Sequence, residues 1–169
     1  MRKLSILILC LAVSGCGGGV GSTVLQDFGI QDRPDDYVSG SEMVMKNMQT
    51  VGATELKRLN TEGRYGELVF DDSEALRGRY YKKVKKYIRA YPIEAKPVGR
   101  TANRQGSGFN GLIEYAYEIY EGPRFSNRTE ANASDAEIPT GTRGRDTFRY
   151  RFSAAGNWDG NKGVAAGSR

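Results

Sequence analysis

The chain contains no histidine. That absence removes the commonest general base near neutral pH, the commonest metal ligand and the Ser-His and Cys-His nucleophile pairs, so zinc, haem and triad chemistry are not expected. No metal or other cofactor is expected at all. Cysteine is almost as scarce, with only Cys10 and Cys16, both near the start. A disulfide framework is therefore excluded for the body of the chain, and stability has to come from a buried core. Long apolar runs are missing too. The longest, residues 4–13, holds about ten mostly apolar residues, half of what a bilayer-spanning helix requires. No internal repeat is present.

What the chain does have at its start is a specific order of features. Arg2 and Lys3 supply a positive beginning, residues 4–13 an apolar stretch, Val13-Ser14-Gly15 a small-residue passage, and Cys16 a thiol directly after it. This order resembles the bacterial lipoprotein signal, whose lipobox reads Leu or Val, a small residue, Gly or Ala, then the lipidated Cys. The resemblance covers residues 1–16 and says nothing of the domain behind them, which matches no family pattern. It implies that residues 1–15 are a signal peptide, that Cys16 becomes the acylated N-terminus, and that the product stays on a membrane of the cell envelope. Two or more acyl chains give stable anchoring, since each buried methylene contributes about 0.8 kcal/mol. Gly17 stands where an Asp would, in enterobacterial lipoproteins, signal inner-membrane retention, so the placement implied is the outer membrane. An ordinary secretory signal with an incidental cysteine is the alternative. Residues 16–26 then read as lipidated cysteine and glycine-rich tether, because glycine leaves many backbone conformations open.

Charge is unevenly distributed over the rest. Residues 27–74 carry 5 Lys/Arg against 11 Asp/Glu, residues 75–104 carry 10 against the single Glu94, and residues 105–169 carry 8 against 8. Either the acidic stretch lies against the basic one, or a basic surface is left to attract anionic lipid, glycan or nucleic acid. Export takes the chain away from nucleic acid, so no nucleic-acid partner is expected.

Periodicity gives the elements. Ser41 precedes Val44, Met48 and Val51 at one-face helical spacing and reads as an N-cap; Gly52 reads as a break and Thr54 as the cap of a second helix. Residues 66–71 are a short apolar run between turn formers, which suits a strand. Residues 77–91 fit two templates. Tyr81, Val84, Ile88 and Tyr91 form a helical stripe with lysines outward, whereas Tyr87, Arg89, Tyr91 and Ile93 alternate as in a strand. The helical stripe is favoured over residues 73–89, with a strand near Ile93. Gly106-Ser107-Gly108-Phe109-Asn110-Gly111 spells GxGxxG, but a polar loop precedes it and a strand pattern follows, so it reads as a turn and not a phosphate cradle. Residues 112–120 are the clearest strand, with Tyr115, Tyr117 and Ile119 on one face. Residues 147–152 repeat the device with Phe148, Tyr150 and Phe152 inward and Arg149 and Arg151 outward. If the two pair antiparallel, Glu114 and Glu118 face Arg149 and Arg151. Residues 122–146 read as a long polar surface loop, and residues 160–169 as a disordered tail.

The resulting expectation is an α+β fold, one small domain over residues 27–159 with one or two helices packed on an antiparallel sheet. Function is less constrained. The first reading is an envelope-anchored, non-catalytic interaction or structural module whose partner is an envelope protein. A second is an enzyme acting on cell-wall polymer through Asp71, Glu114 or Glu118, because paired carboxylates hydrolyse glycosidic bonds without histidine. A third is an electrostatic binder of anionic lipid or glycan through Lys82, Lys83, Lys85 and Lys86.

Overall fold

The computed structural model describes residues 38–73, 78–98 and 108–167. The expected signal peptide and tether, with Cys16, and the first two residues of the GxGxxG stretch lie outside them. The elements are helix α1 (Gly40–Gly63), strands β1 (Glu67–Asp71), β2 (Arg79–Pro97) and β3 (Gly108–Glu121), helix α2 (Arg128–Ala133), and strands β4 (Ile138–Ser153) and β5 (Val164–Ala165). The strands form one antiparallel sheet in the order β1-β2-β3-β4-β5, so the expected α+β architecture is the one observed.

α1 is a single helix, not two. Its N-cap is Ser39, two residues before the expected Ser41. The Ser39 hydroxyl accepts from the Glu42 N–H at 3.1 Å and the Glu42 carboxylate accepts from the Ser39 N–H at 3.0 Å. This reciprocal pair satisfies two backbone donors at once, which explains the earlier start. The expected break at Gly52 does not occur. A glycine inside a helix costs about 1 kcal/mol against alanine, but here it lets the helix lie close to the sheet: a Cβ on Gly52 would stand 3.0 Å from the Cβ of Ala90. Gly111 does the same from the sheet side, where a Cβ would meet the Met48 sulfur at 2.7 Å.

β2 corrects the favoured helical reading of residues 73–89: the segment is strand from Arg79 onward, hydrogen-bonded on both sides to β1 and β3. Two register shifts, between Tyr87 and Arg89 and between Pro92 and Glu94, insert an extra residue each time. They move the inward positions to Tyr87, Ala90 and Ala95, whose spacing no longer follows strict alternation. Pro92, which has no N–H to give, sits beside the second irregularity. Asn60 of α1 ties down the first, its side chain accepting from the Tyr87 N–H at 2.7 Å and donating to the Tyr87 carbonyl at 2.8 Å.

The core lies between α1 and one face of β2, β3 and β4: Val44, Met48 and Val51 against Phe109, Ile113, Tyr115, Tyr150 and Phe152. Inward Phe148, Tyr150 and Phe152 and outward Arg149 and Arg151 stand as the alternation predicts. The expected loop at 122–146 is largely structured. Phe125 exchanges two backbone hydrogen bonds with Tyr80, α2 buries Ala131, and β4 already begins at Ile138. In place of a disordered tail, the chain after Trp158 returns across the helix side and pairs Val164 with Arg149 and Ala165 with Phe148.

Truncating the core residue seated between helix and sheet should be severe. Met48→Ala is expected to cost about 2 to 5 kcal/mol, read as a lowered midpoint of urea unfolding with an unchanged slope.

Candidate functional site

Three polar assemblies are candidates, and each is built by a different part of the fold. The first is buried. The positions Val44, Met48, Val51 and Glu55 form one stripe of α1, so helical geometry carries Glu55 inward, where it is 2% exposed. Arg58, one turn on, meets it with both forks, Nε to Oε1 at 2.8 Å and Nη2 to Oε2 at 2.7 Å. Arg58 also donates to Glu62 at 2.6 Å, and Lys162 from the returning chain reaches the other oxygen of Glu62 at 2.6 Å. The Gly163 N–H points at Glu55 Oε2 from 3.5 Å. Nearby, the buried hydroxyls of Tyr115 and Tyr150 are 2.9 Å apart. Burial pushes the Tyr115 hydroxyl up to about 12, the bond from Tyr150 working in the opposite direction. Burial, then the bond to Tyr115, raises Tyr150 as well. Both oxygens of Glu55 are engaged by Arg58, so no free acid or base is presented, and the cluster reads as the polar centre of the core.

The second assembly sits beside the end of α1. Asp146 Oδ2 accepts from the Tyr87 hydroxyl at 2.6 Å and from Lys85 Nζ at 2.8 Å, and Lys85 lies over the ring of Tyr117 at 4.2 Å. Burial first, then the bond to Asp146, raises the Tyr87 hydroxyl. A depression of about 260 Å³ adjoins it, lined by Asp146, Thr147, Phe148, Ala165 and Gly167. That is smaller than the roughly 300 to 1,000 Å³ of ordinary small-molecule pockets.

The third is the face of the sheet opposite α1. Register places Lys86, Arg89 and Tyr91 of β2, Leu112, Glu114, Ala116 and Glu118 of β3, and Arg143, Arg145, Arg149 and Arg151 of β4 on it. Glu114 pairs with Arg145 at 2.7 Å and Glu118 with Arg143 at 3.5 Å. The expected partners, Arg149 and Arg151, stand instead across from Leu112 and Asn110, because the antiparallel register lies further along the chain. Both arginines are exposed and have no carboxylate partner among the described residues.

The four lysines Lys82, Lys83, Lys85 and Lys86 are not brought together. A strand sends neighbours to opposite faces, so Lys82 and Lys86 share the open face while Lys83 and Lys85 share the helix side. Lys82 is largely buried, Lys85 is held by Asp146, and Lys86 lies over Tyr120 at 4.3 Å. The carboxylates are equally dispersed. Asp71 ends β1 and accepts from the Ser73 N–H at 3.1 Å, which holds it below its ordinary range. Glu114 and Glu118 lie four residues apart on one strand, about 13 Å, beyond the roughly 5 to 9.5 Å at which two carboxylates cooperate on a glycosidic bond. Among the described residues no group of three His, Cys, Asp or Glu side chains could hold a metal ion, and no helix is long and apolar enough to cross a membrane. Cys16 lies outside the described residues.

Sequence reasoning passed over Glu55, Arg58, Asn60, Asp146 and Lys162. Glu55 had a usable signal, since it falls in phase with Val44, Met48 and Val51. Comparison with protein-family models, curated proteins and solved structures finds no match.

The buried tyrosines set the alkaline behaviour. Their folded hydroxyls ionise later than the ordinary tyrosine at 10.0, so the unfolded chain loses protons first as pH rises. Stability is complete below about pH 10 and falls between about pH 10 and 12. Thermal unfolding followed across that window is expected to show a falling midpoint, and Tyr150→Phe a shallower fall.

Proposed function

We propose that this chain is an envelope lipoprotein, acylated at Cys16 and held at the outer membrane, whose domain is a non-catalytic interaction module for another envelope protein. The order of charge, apolar stretch, small residues and Cys16 is the observation that carries this reading. The folded part is consistent with it in a specific way. The buried Glu55 is held by Arg58 and the buried hydroxyls of Tyr115 and Tyr150 meet each other, the three candidate carboxylates stand apart, and the exposed features are extended surfaces. Such surfaces suit contact with a macromolecule better than enclosure of a small substrate. The cell-wall enzyme reading needs two of Asp71, Glu114 and Glu118 in one cleft, and their placement gives it no support.

Intact mass measurement of the native protein tests the anchor. The expected species begins at Cys16 and carries acyl chains; a chain that retains residues 1–15 with a free Cys16 thiol contradicts it. Cys16→Ala is expected to shift the protein from the membrane fraction to an unacylated form. Crosslinking in intact cells then tests the role, the expected result being one recurrent envelope-protein neighbour. Turnover of a cell-wall polymer by the purified protein would contradict the module reading.

A further inference from the structure

We propose that the open face of the sheet docks on an anionic lipid surface, a step that rests on the lipid-anchor reading for its setting but on the face itself for its chemistry. Three of the cations on that face are already matched: Arg143 by Glu118, Arg145 by Glu114 and Lys96 by Glu94. Lys86, Arg89, Arg149 and Arg151 have no carboxylate partner among the described residues. Two of these four lie over tyrosine rings, Lys86 over Tyr120 at 4.3 Å and Arg89 over Tyr91 at 5.2 Å. α1, which covers the other face, is balanced, with three acids and three bases. The four unmatched cations stand on the face that α1 leaves uncovered.

The arrangement also selects among anionic occupants. Arg149 and Arg151 are on β4, whereas Lys86 and Arg89 are on β2, with β3 between them. A linear polymer is read by a single track of cations. Here the unmatched cations are spread over two dimensions, which suits a plane of head groups. Tyrosines with an apolar ring and a polar hydroxyl are favoured where protein meets that plane. Distance adds to this: residues 17–37, between the acylation site and the first described residue, reach at most about 75 Å even fully extended. That length is enough for the face to reach the lipid to which Cys16 is attached.

The test uses the chain from residue 16 onward carrying Cys16→Ser, so that neither an acyl chain nor the signal stretch contributes, with phosphatidylcholine vesicles prepared with or without phosphatidylglycerol. The unaltered face is expected to bind the anionic vesicles more tightly than the neutral ones. Each basic residue close to an anionic surface is worth about fivefold in affinity, so R149A/R151A is expected to lose about 25-fold on the anionic vesicles. K46A/K57A removes the same charge from the outer side of α1 and is expected to change binding by less than about twofold. Matching urea midpoints show that both variants are folded. Equal binding by R149A/R151A and its parent overturns the proposal, as does an equal loss in K46A/K57A. Tight binding to a soluble carboxylated polysaccharide without binding to vesicles also overturns it and assigns the face to a polymer. Failure of acylation at Cys16 would be seen in the native mass and leaves these vesicle results unaffected.

Discussion

The close seating of α1 on one face of the sheet is the constraint from which the rest of the molecule follows. Gly52 on the helix and Gly111 and Ala90 on the strands leave room for the two layers to approach, and Met48 fills the gap between them. Tyr115 and Tyr150 close the core from the sheet side, with Phe148 and Trp158 meeting them edge-on at 5.6 and 6.3 Å between ring centres. Such aromatic pairs add about 0.5 to 1.5 kcal/mol each beyond the area they bury. With no disulfide in the domain, this layer has to supply the cohesion. α1 covers one face only; on the other side of the sheet Lys82, Val84 and Glu118 are buried, while Arg89, Arg149 and Arg151 face solvent.

Polar ties fix how the layers are registered. Asn60 holds the backbone of Tyr87 where β2 departs from regular pairing, and Asp146 gathers Tyr87 and Lys85 from the neighbouring strand but one. Glu55 and Arg58 place a forked ion pair inside, which is seldom a net gain over an apolar pair but is costly to break on one side. Lys162 and Gly163 then bring residues 160–167 back onto the helix, which is why they are part of the fold. On the open face Arg145 pairs with the half-buried Glu114, and Arg143, itself exposed, reaches the buried Glu118; pairs with an exposed member contribute at most about 1 kcal/mol each. Their larger effect is to cancel charge locally and leave the excess at Arg149, Arg151, Arg89 and Lys86.

Much of the sheet was legible in the sequence. The alternation of Tyr115, Tyr117 and Ile119, and of Phe148, Tyr150 and Phe152, gave the strands and their inward faces. β2 was not legible, for a physical reason. Tyr81, Val84, Ile88 and Tyr91 imitate a helical stripe although they do not share a face of the strand, and the two irregularities break the alternation of the inward Tyr87, Ala90 and Ala95 that would have marked it. The structured part of residues 122–146 was hidden because it packs through Ala131 and Ala136, which are too small to register as a hydrophobic pattern. The return of residues 160–167 depends on Lys162 meeting Glu62 across the fold, a long-range pairing that no local window contains. The candidate lysines failed to cluster for the same reason that β2 was misread, since a helix would have gathered on one side what a strand divides. The arginines of β4 were read as outward, but not their partners.

The proposed function joins an acylated start to a sheet that α1 covers on one face: the helix side supplies stability, and the other side carries the proposed contact. Residue-resolved hydroxyl-radical footprinting of the folded protein tests that division most directly. Met48, Tyr115, Tyr150 and Phe152 are expected to be protected, while Tyr65, which is 67% exposed, and Tyr91 on the open face react readily. Oxidation of Met48 and Tyr150 as fast as Tyr65 under native conditions, or protection of Tyr91 to the level of Tyr115 in the isolated monomer, would contradict the account.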